Sequence, residues 1–98
     1  MTSRSAHLSP DLPEYLIEHS SPPGSVLNDL AAETAARFPD AAGMQIGPDQ
    51  GAFLTMLAQL SGARQALEVG TFTGYSSICI ARGLPHGGHL TCCDVSDE

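Results

Sequence analysis

The sequence predicts an α/β chain in which helices come first and one parallel β–α–β unit comes last. Three observations carry that reading. Apolar residues between Ser25 and Phe38 recur at helical spacing. A short apolar run, Ala66 to Val69, leads into the glycine-bracketed turn Gly70–Gly74. A second helical stretch follows, and Gly87-Gly88 then turns the chain into another strand-like run, His89 to Asp94. Strands joined by a helix run parallel, with a right-handed crossover expected.

The elements follow in order. Residues 1–9 are polar and predict a frayed tail. Pro10, Asp11, Leu12 and Pro13 make a stiff entry to a short helix, Glu14 to His19. Ser20 to Gly24 holds two prolines and a glycine, so it connects. Ser25 is placed to cap the next helix, whose stripe is Leu27, Leu30, Ala31, Thr34, Ala35 and Phe38, and Pro39 ends it. Asp40 to Gly47 is a loop. Pro48 suits a first helical position and Asp49 favours the positive end of the helix dipole. Phe53, Met56, Leu57 and Leu60 are the expected buried face of that third helix, with Gly62 as its terminator. Tyr75 to Arg82 is the crossover helix, stopped by Gly83 and Pro85.

Composition excludes several functions. The 98 residues carry four arginines, no lysine, 11 acids and a formal net charge of -7. Four scattered cations cannot neutralise a run of phosphates, so neither nucleic acid nor an anionic membrane is an expected partner. Without lysine there is no Schiff-base nucleophile and no Walker-type phosphate loop. Cys79, Cys92 and Cys93 form no C-x-x-C pair, and neighbours on a strand point to opposite faces. They are expected to be reduced, mostly buried apolar residues. Their redox state, and a polar N-terminus unlike a signal peptide, suggest a cytoplasmic chain. No stretch approaches about 20 apolar residues.

The informative segment is Glu68-Val69-Gly70-Thr71-Phe72-Thr73-Gly74-Tyr75-Ser76. An acid closes a strand, a glycine turn follows, and a helix begins with unpaired backbone N–H groups. In open parallel sheets ligands bind at the carboxyl ends of the strands, where this turn lies. A dinucleotide fingerprint would need glycine at positions held by Phe72 and Tyr75, so a pyrophosphate is disfavoured. A nucleoside without phosphates remains. S-adenosylmethionine suits the residues: its ammonium needs a carboxylate, Glu68, and its carboxylate needs donors such as the Ser76 hydroxyl. Its ribose diol needs an acceptor at the end of the second strand, and Asp94 lies 24 residues after Gly70. The frame around Ser76 is not G-x-S-x-G, which removes a hydrolase elbow. His86 and His89 flank a turn without an acidic or thiol partner nearby and are expected on the surface.

Residues 44–98 resemble the cation-dependent O-methyltransferases of the caffeoyl-CoA and catechol type. Met44-Gln45-Ile46, Asp49-Gln50-Gly51-Ala52-Phe53-Leu54, the run from Glu68 to Ser76, and Cys93-Asp94 carry the resemblance. It implies a Rossmann-like class I methyltransferase fold, truncated after the second parallel strand. Residues 1–43 would be tail and N-terminal helices, and residues 44–98 the first part of the S-adenosylmethionine domain. It implies cofactor contacts from Ile46 (through its backbone), Glu68, Gly70, Thr71, Ser76 and Asp94, with Tyr75 packed beside the cofactor. It implies a phenolic or catechol-like substrate, a homodimer formed through the N-terminal helices, and a divalent cation of the Mg²⁺ type. None of the matched positions is a metal ligand or a catalytic residue in that family. Asp97 and Glu98 are expected to face solvent or begin a further helix.

Two parallel strands are too few for an independently stable sheet. The expectation is therefore a truncated form or fragment, inactive in methyl transfer by itself. Two other functions stay open: a nucleoside-binding piece without chemistry, and a helical segment, residues 10–62, that docks on a partner.

Overall fold

The computed structural model describes residues 9–95. Residues 1–8, with His7 and nearly all of the expected tail, lie outside the described residues, as do Asp97 and Glu98. The order is α1 (Asp11–Glu18), α2 (Ser25–Arg37), a 3₁₀ turn (Ala42–Met44), α3 (Pro48–Ser61), β1 (Gln65–Val69), α4 (Tyr75–Gly83) and β2 (His89–Cys93). Helices precede a β–α–β unit, as the sequence predicts.

β1 and β2 are parallel, in register from Gln65 opposite His89 to Val69 opposite Cys93. Side chains alternate across the strands. Glu68 and its partner Cys92 share the face covered by α4, because both reach serines on that helix. Leu67 and Val69 point to the other face and are exposed. The strand ends therefore leave Glu68 just before, and Asp94 just after, the last registered pair.

The packed centre joins α2 to α4. Leu27, Tyr75 and Cys79 are buried, with Leu30, Ala31, Ile46 and Ile78 against them. Leu27 is 2 % exposed, and burying such a side chain contributes about 1.5–3 kcal/mol. Thr34 on α2 is also buried and donates to the Thr73 hydroxyl at 2.9 Å, which ties α2 to the turn before α4.

α3 corrects one expectation. Its face of Phe53, Met56, Leu57 and Leu60 is exposed, not buried. The packed side is a stripe of small residues, Gly51, Thr55 and Ala58. At roughly 100° per residue the two stripes lie on opposite sides of the helix. The Thr55 hydroxyl donates to the Cys79 carbonyl of α4 at 2.7 Å. A Cβ on Gly51 would stand 2.8 Å from Cys79 Sγ, and one on Gly83 2.4 Å from the Thr55 carbonyl oxygen. Close backbone approach, available only to small residues, won over side-chain size.

Smaller differences have local causes. α1 begins at Asp11, three residues before expectation, because Pro13 fits its first turn, where no N–H partner is required. Gly24, at φ 87°, takes the N-cap position expected for Ser25. Ala35 is exposed and Phe38 is the C-cap, its ring edge-on to Phe72 with centroids 6.0 Å apart. Gly62 ends α3 in the left-handed conformation, as expected. Of the three thiols only Cys79 is buried; Cys92 and Cys93 are exposed because no further strand covers them among the described residues. His86 and His89 are exposed, as the turn implied. Among the described residues no helix is long and apolar enough to cross a membrane.

Burial raises the pKa of the Cys79 thiol, opposed by the Arg82 cation and aided by Glu68. Burial likewise raises the Tyr75 phenol, with Cys79 and Asp49 adding and Arg82 opposing. Both groups are neutral when protonated, so the unfolded chain releases these protons first as pH rises. The stability they contribute is present below the ordinary thiol value of 9.0 and is lost as pH climbs through the raised folded values. The urea midpoint is expected to fall above pH 9, and Tyr75→Phe to make that fall shallower.

Candidate functional site

The turn between β1 and α4 is shaped by its backbone. Gly70 and Gly74 have φ of 88° and 96°, and Phe72, at φ 53°, is the non-glycine residue with positive φ among the described residues. Such a conformation costs a bulky residue about 1–2 kcal/mol, so something must hold it. Asp94 Oδ2 accepts the Phe72 N–H at 2.8 Å, and Oδ1 accepts the Val95 N–H at 2.7 Å. The Gly70 N–H donates to the Cys93 carbonyl at 2.7 Å, and the Thr71 hydroxyl reaches the same oxygen at 3.5 Å. The turn is thereby fastened to the end of β2.

Glu68 faces the first turn of α4. Its Oε2 accepts the Ser76 hydroxyl at 2.5 Å, and its Oε1 accepts the Ser77 hydroxyl. Both donors are neutral, so these bonds orient the carboxylate without cancelling its charge. A Cβ at Gly70 or Gly74 would meet nothing within 4 Å, so the turn is bordered by open space. The arrangement offers two oriented carboxylates at the carboxyl edge of a parallel sheet, beside the positive end of a helix. That suits a ligand carrying both a cation and hydroxyl donors.

Five of the six expected site residues meet here: Glu68, Gly70, Thr71, Ser76 and Asp94. The Ile46 side chain is half-buried against the Leu27–Tyr75–Cys79 core. Tyr75 is part of that core at 4 % exposure. The Ser76 hydroxyl hydrogen, expected on a ligand carboxylate, is given to Glu68.

Two residues escaped the sequence reading. Ser77 follows Ser76 directly, and the doubled hydroxyl was its only signal. Gln45, in the Met44-Gln45-Ile46 piece, is 7 % exposed, and its Oε1 has no hydrogen-bond partner. An unpaired buried acceptor costs about 1–3 kcal/mol. Gln45→Met, close in volume, is expected to raise stability by about 1 kcal/mol in urea unfolding.

A cleft of about 890 Å³ lies away from this turn. It lies between the α1–α2 connector and helices α3 and α4, lined by Leu16, Pro22, Phe53, Met56, Tyr75 and Arg82. The turn is open, with no further strand among the described residues to wall it. Among the described residues no three His, Cys, Asp or Glu side chains are grouped as a metal site would need.

Comparison with known proteins decides the family. The family model described as O-methyltransferase matches residues 17–98. The chain belongs to the O-methyltransferase family. Its match to the caffeoyl-CoA O-methyltransferase of Populus kitakamiensis is 40% identical over 85 residues, covering 85% of this chain and 36% of that protein. A catechol O-methyltransferase of Niastella koreensis is 44% identical over 61 residues, 62% of this chain and 28% of that one. In structure, this O-methyltransferase chain resembles the O-methyltransferase from Bacillus cereus in complex with SAH, at a TM-score of 0.75 and 36% identity, covering 89% of this chain and 39% of that one. It also resembles TomG from Streptomyces achromogenes in complex with SAM, at a TM-score of 0.72 and 36% identity, with coverage of 84% and 36%. The fold is thus the Rossmann-like fold of these methyltransferases, represented by its first two strands and the helices before them. The chain spans between 28% and 39% of the length of these relatives.

Proposed function

We propose that this chain forms the S-adenosylmethionine-holding part of an O-methyltransferase whose acceptor is a hydroxyl of a catechol- or caffeoyl-like molecule. The observation that carries the cofactor reading is the pair of oriented carboxylates, Glu68 and Asp94, on either side of the Gly70–Gly74 turn. The names of the Populus and Niastella relatives support the acceptor class.

When bound, S-adenosylmethionine supplies an electrophilic methyl group on a sulfonium. Glu68 pairs with the ammonium of its amino-acid end. Asp94, oriented by two backbone N–H donors, receives the ribose hydroxyls. Gly70 and Thr71 let the backbone approach, and the first turn of α4 presents donors to the carboxylate. Ile46 contributes a backbone contact from the loop ahead of α3, while its side chain packs into the helical core. The chain's share of catalysis is binding and orientation of the cofactor. Among the described residues no three His, Cys, Asp or Glu side chains form a divalent-cation site.

We further propose a cytoplasmic chain, with residues 1–43 as tail and N-terminal helices, residues 44–98 as the first part of the cofactor domain, and a homodimer formed through the N-terminal helices. The exposed apolar stripe of α3 favours a second reading, a helical interaction segment. Calorimetry with S-adenosylhomocysteine separates the two. Saturable 1:1 binding is expected; a chain that is folded by circular dichroism yet takes up none would refute the cofactor reading.

A further inference from the structure

Glu68 can serve a ligand only if its carboxylate is held in one place. It ends in three flexible torsions, and ordering such a side chain costs up to about 2 kcal/mol of rotamer freedom. One hydroxyl bond would leave the carboxylate plane free to swing. The structure shows two, one to each oxygen, from consecutive residues of α4. Ser77 is itself held from behind: Cys92 Sγ–H donates to Ser77 Oγ at 3.5 Å. Cys92 is the residue of β2 in register with Glu68. The bonds thus run in one direction, from Cys92 to Ser77 to Glu68, so the Ser77 hydrogen is directed to the carboxylate.

From this geometry we infer that Ser77 is a positioning residue, which fixes the Glu68 carboxylate for the ammonium of the cofactor's amino-acid end. This rests on the cofactor reading above and adds to it a residue that touches no ligand. Ser76, whose hydroxyl hydrogen also goes to Glu68, is the other half of the clamp.

Two probes test it in calorimetry: S-adenosylhomocysteine, which has the amino-acid end, and 5′-methylthioadenosine, which lacks it. Ser77→Ala is expected to weaken S-adenosylhomocysteine roughly tenfold, the loss of one hydrogen bond to a charged group. It should leave methylthioadenosine within twofold, and Ser77→Thr, which keeps the hydroxyl, should restore the first affinity. Equal weakening of both probes would mean a merely structural serine and overturn the inference, as would no change in either, with the cofactor reading intact. If the unsubstituted chain binds neither probe, the cofactor reading fails and the inference with it. Amide exchange of β1 in each variant verifies that the fold is retained.

Discussion

Asp94→Ala is expected to weaken S-adenosylhomocysteine binding by roughly 30-fold or more. Asp94 has two tasks, and alanine performs neither. It accepts the Phe72 N–H, which holds a bulky residue at φ 53°. Once that acceptor is gone, Phe72 has reason to return to ordinary backbone space, and the turn loses its shape. The ribose hydroxyls lose their charged acceptor at the same time. Each charge-assisted bond is worth about 1.5–3 kcal/mol, and the two losses are coupled, so they do not simply add. A deficit of about 2–3 kcal/mol corresponds to roughly 30- to 150-fold in affinity. Asp94→Asn keeps one carbonyl oxygen and should fall between the two, which calorimetry on all three chains would show.

The largest effect on stability is expected at Gly83. A Cβ there would meet the Thr55 carbonyl oxygen at 2.4 Å and the Ala58 Cβ at 2.6 Å. Neither is the loose end of a flexible side chain, so α3 and α4 must separate. The better helix propensity of alanine returns at most about 1 kcal/mol. Overpacking costs about 1–3 kcal/mol and sometimes more, and here it also strains the Thr55–Cys79 bond between the helices. Gly83→Ala is expected to lose about 3 kcal/mol in urea unfolding, a large part of what so small a chain possesses. Gly70→Ala is the useful contrast. Its Cβ meets nothing, so only the left-handed backbone is penalised, at about 1–2 kcal/mol. Equal losses at the two sites would contradict the close-packed account of α3 and α4.

The sequence made the strand–turn–helix–strand order legible because glycine, proline and apolar spacing are local signals. Glu68, Gly70, Ser76 and Asp94 were candidates for the same reason, Thr71 was added by the resemblance, and the strand ends and the turn bring all five together. The packing side of α3 was not. Size and spacing favoured Phe53, Met56, Leu57 and Leu60, whereas Gly51 and Thr55 met α4, and only the partner helix reveals which stripe is covered. Ser77 was hidden because its partners, Glu68 and Cys92, lie on two strands. Gln45 was hidden because an unpaired buried oxygen is a property of packing alone. Ile46 was named by resemblance for a backbone contact, and its side chain packs into the helical core.

The central claim is that the ligand sits at the Gly70–Gly74 turn and not in the 890 Å³ cleft beside α1 and α3. Amide shift mapping by ¹H–¹⁵N NMR during a titration with S-adenosylhomocysteine tests it most directly. The expected result is saturable movement of Gly70, Phe72, Ser76, Ser77 and Asp94, with Leu16, Phe53 and Arg82 unmoved. Movement confined to the cleft residues, with the turn silent, would contradict it.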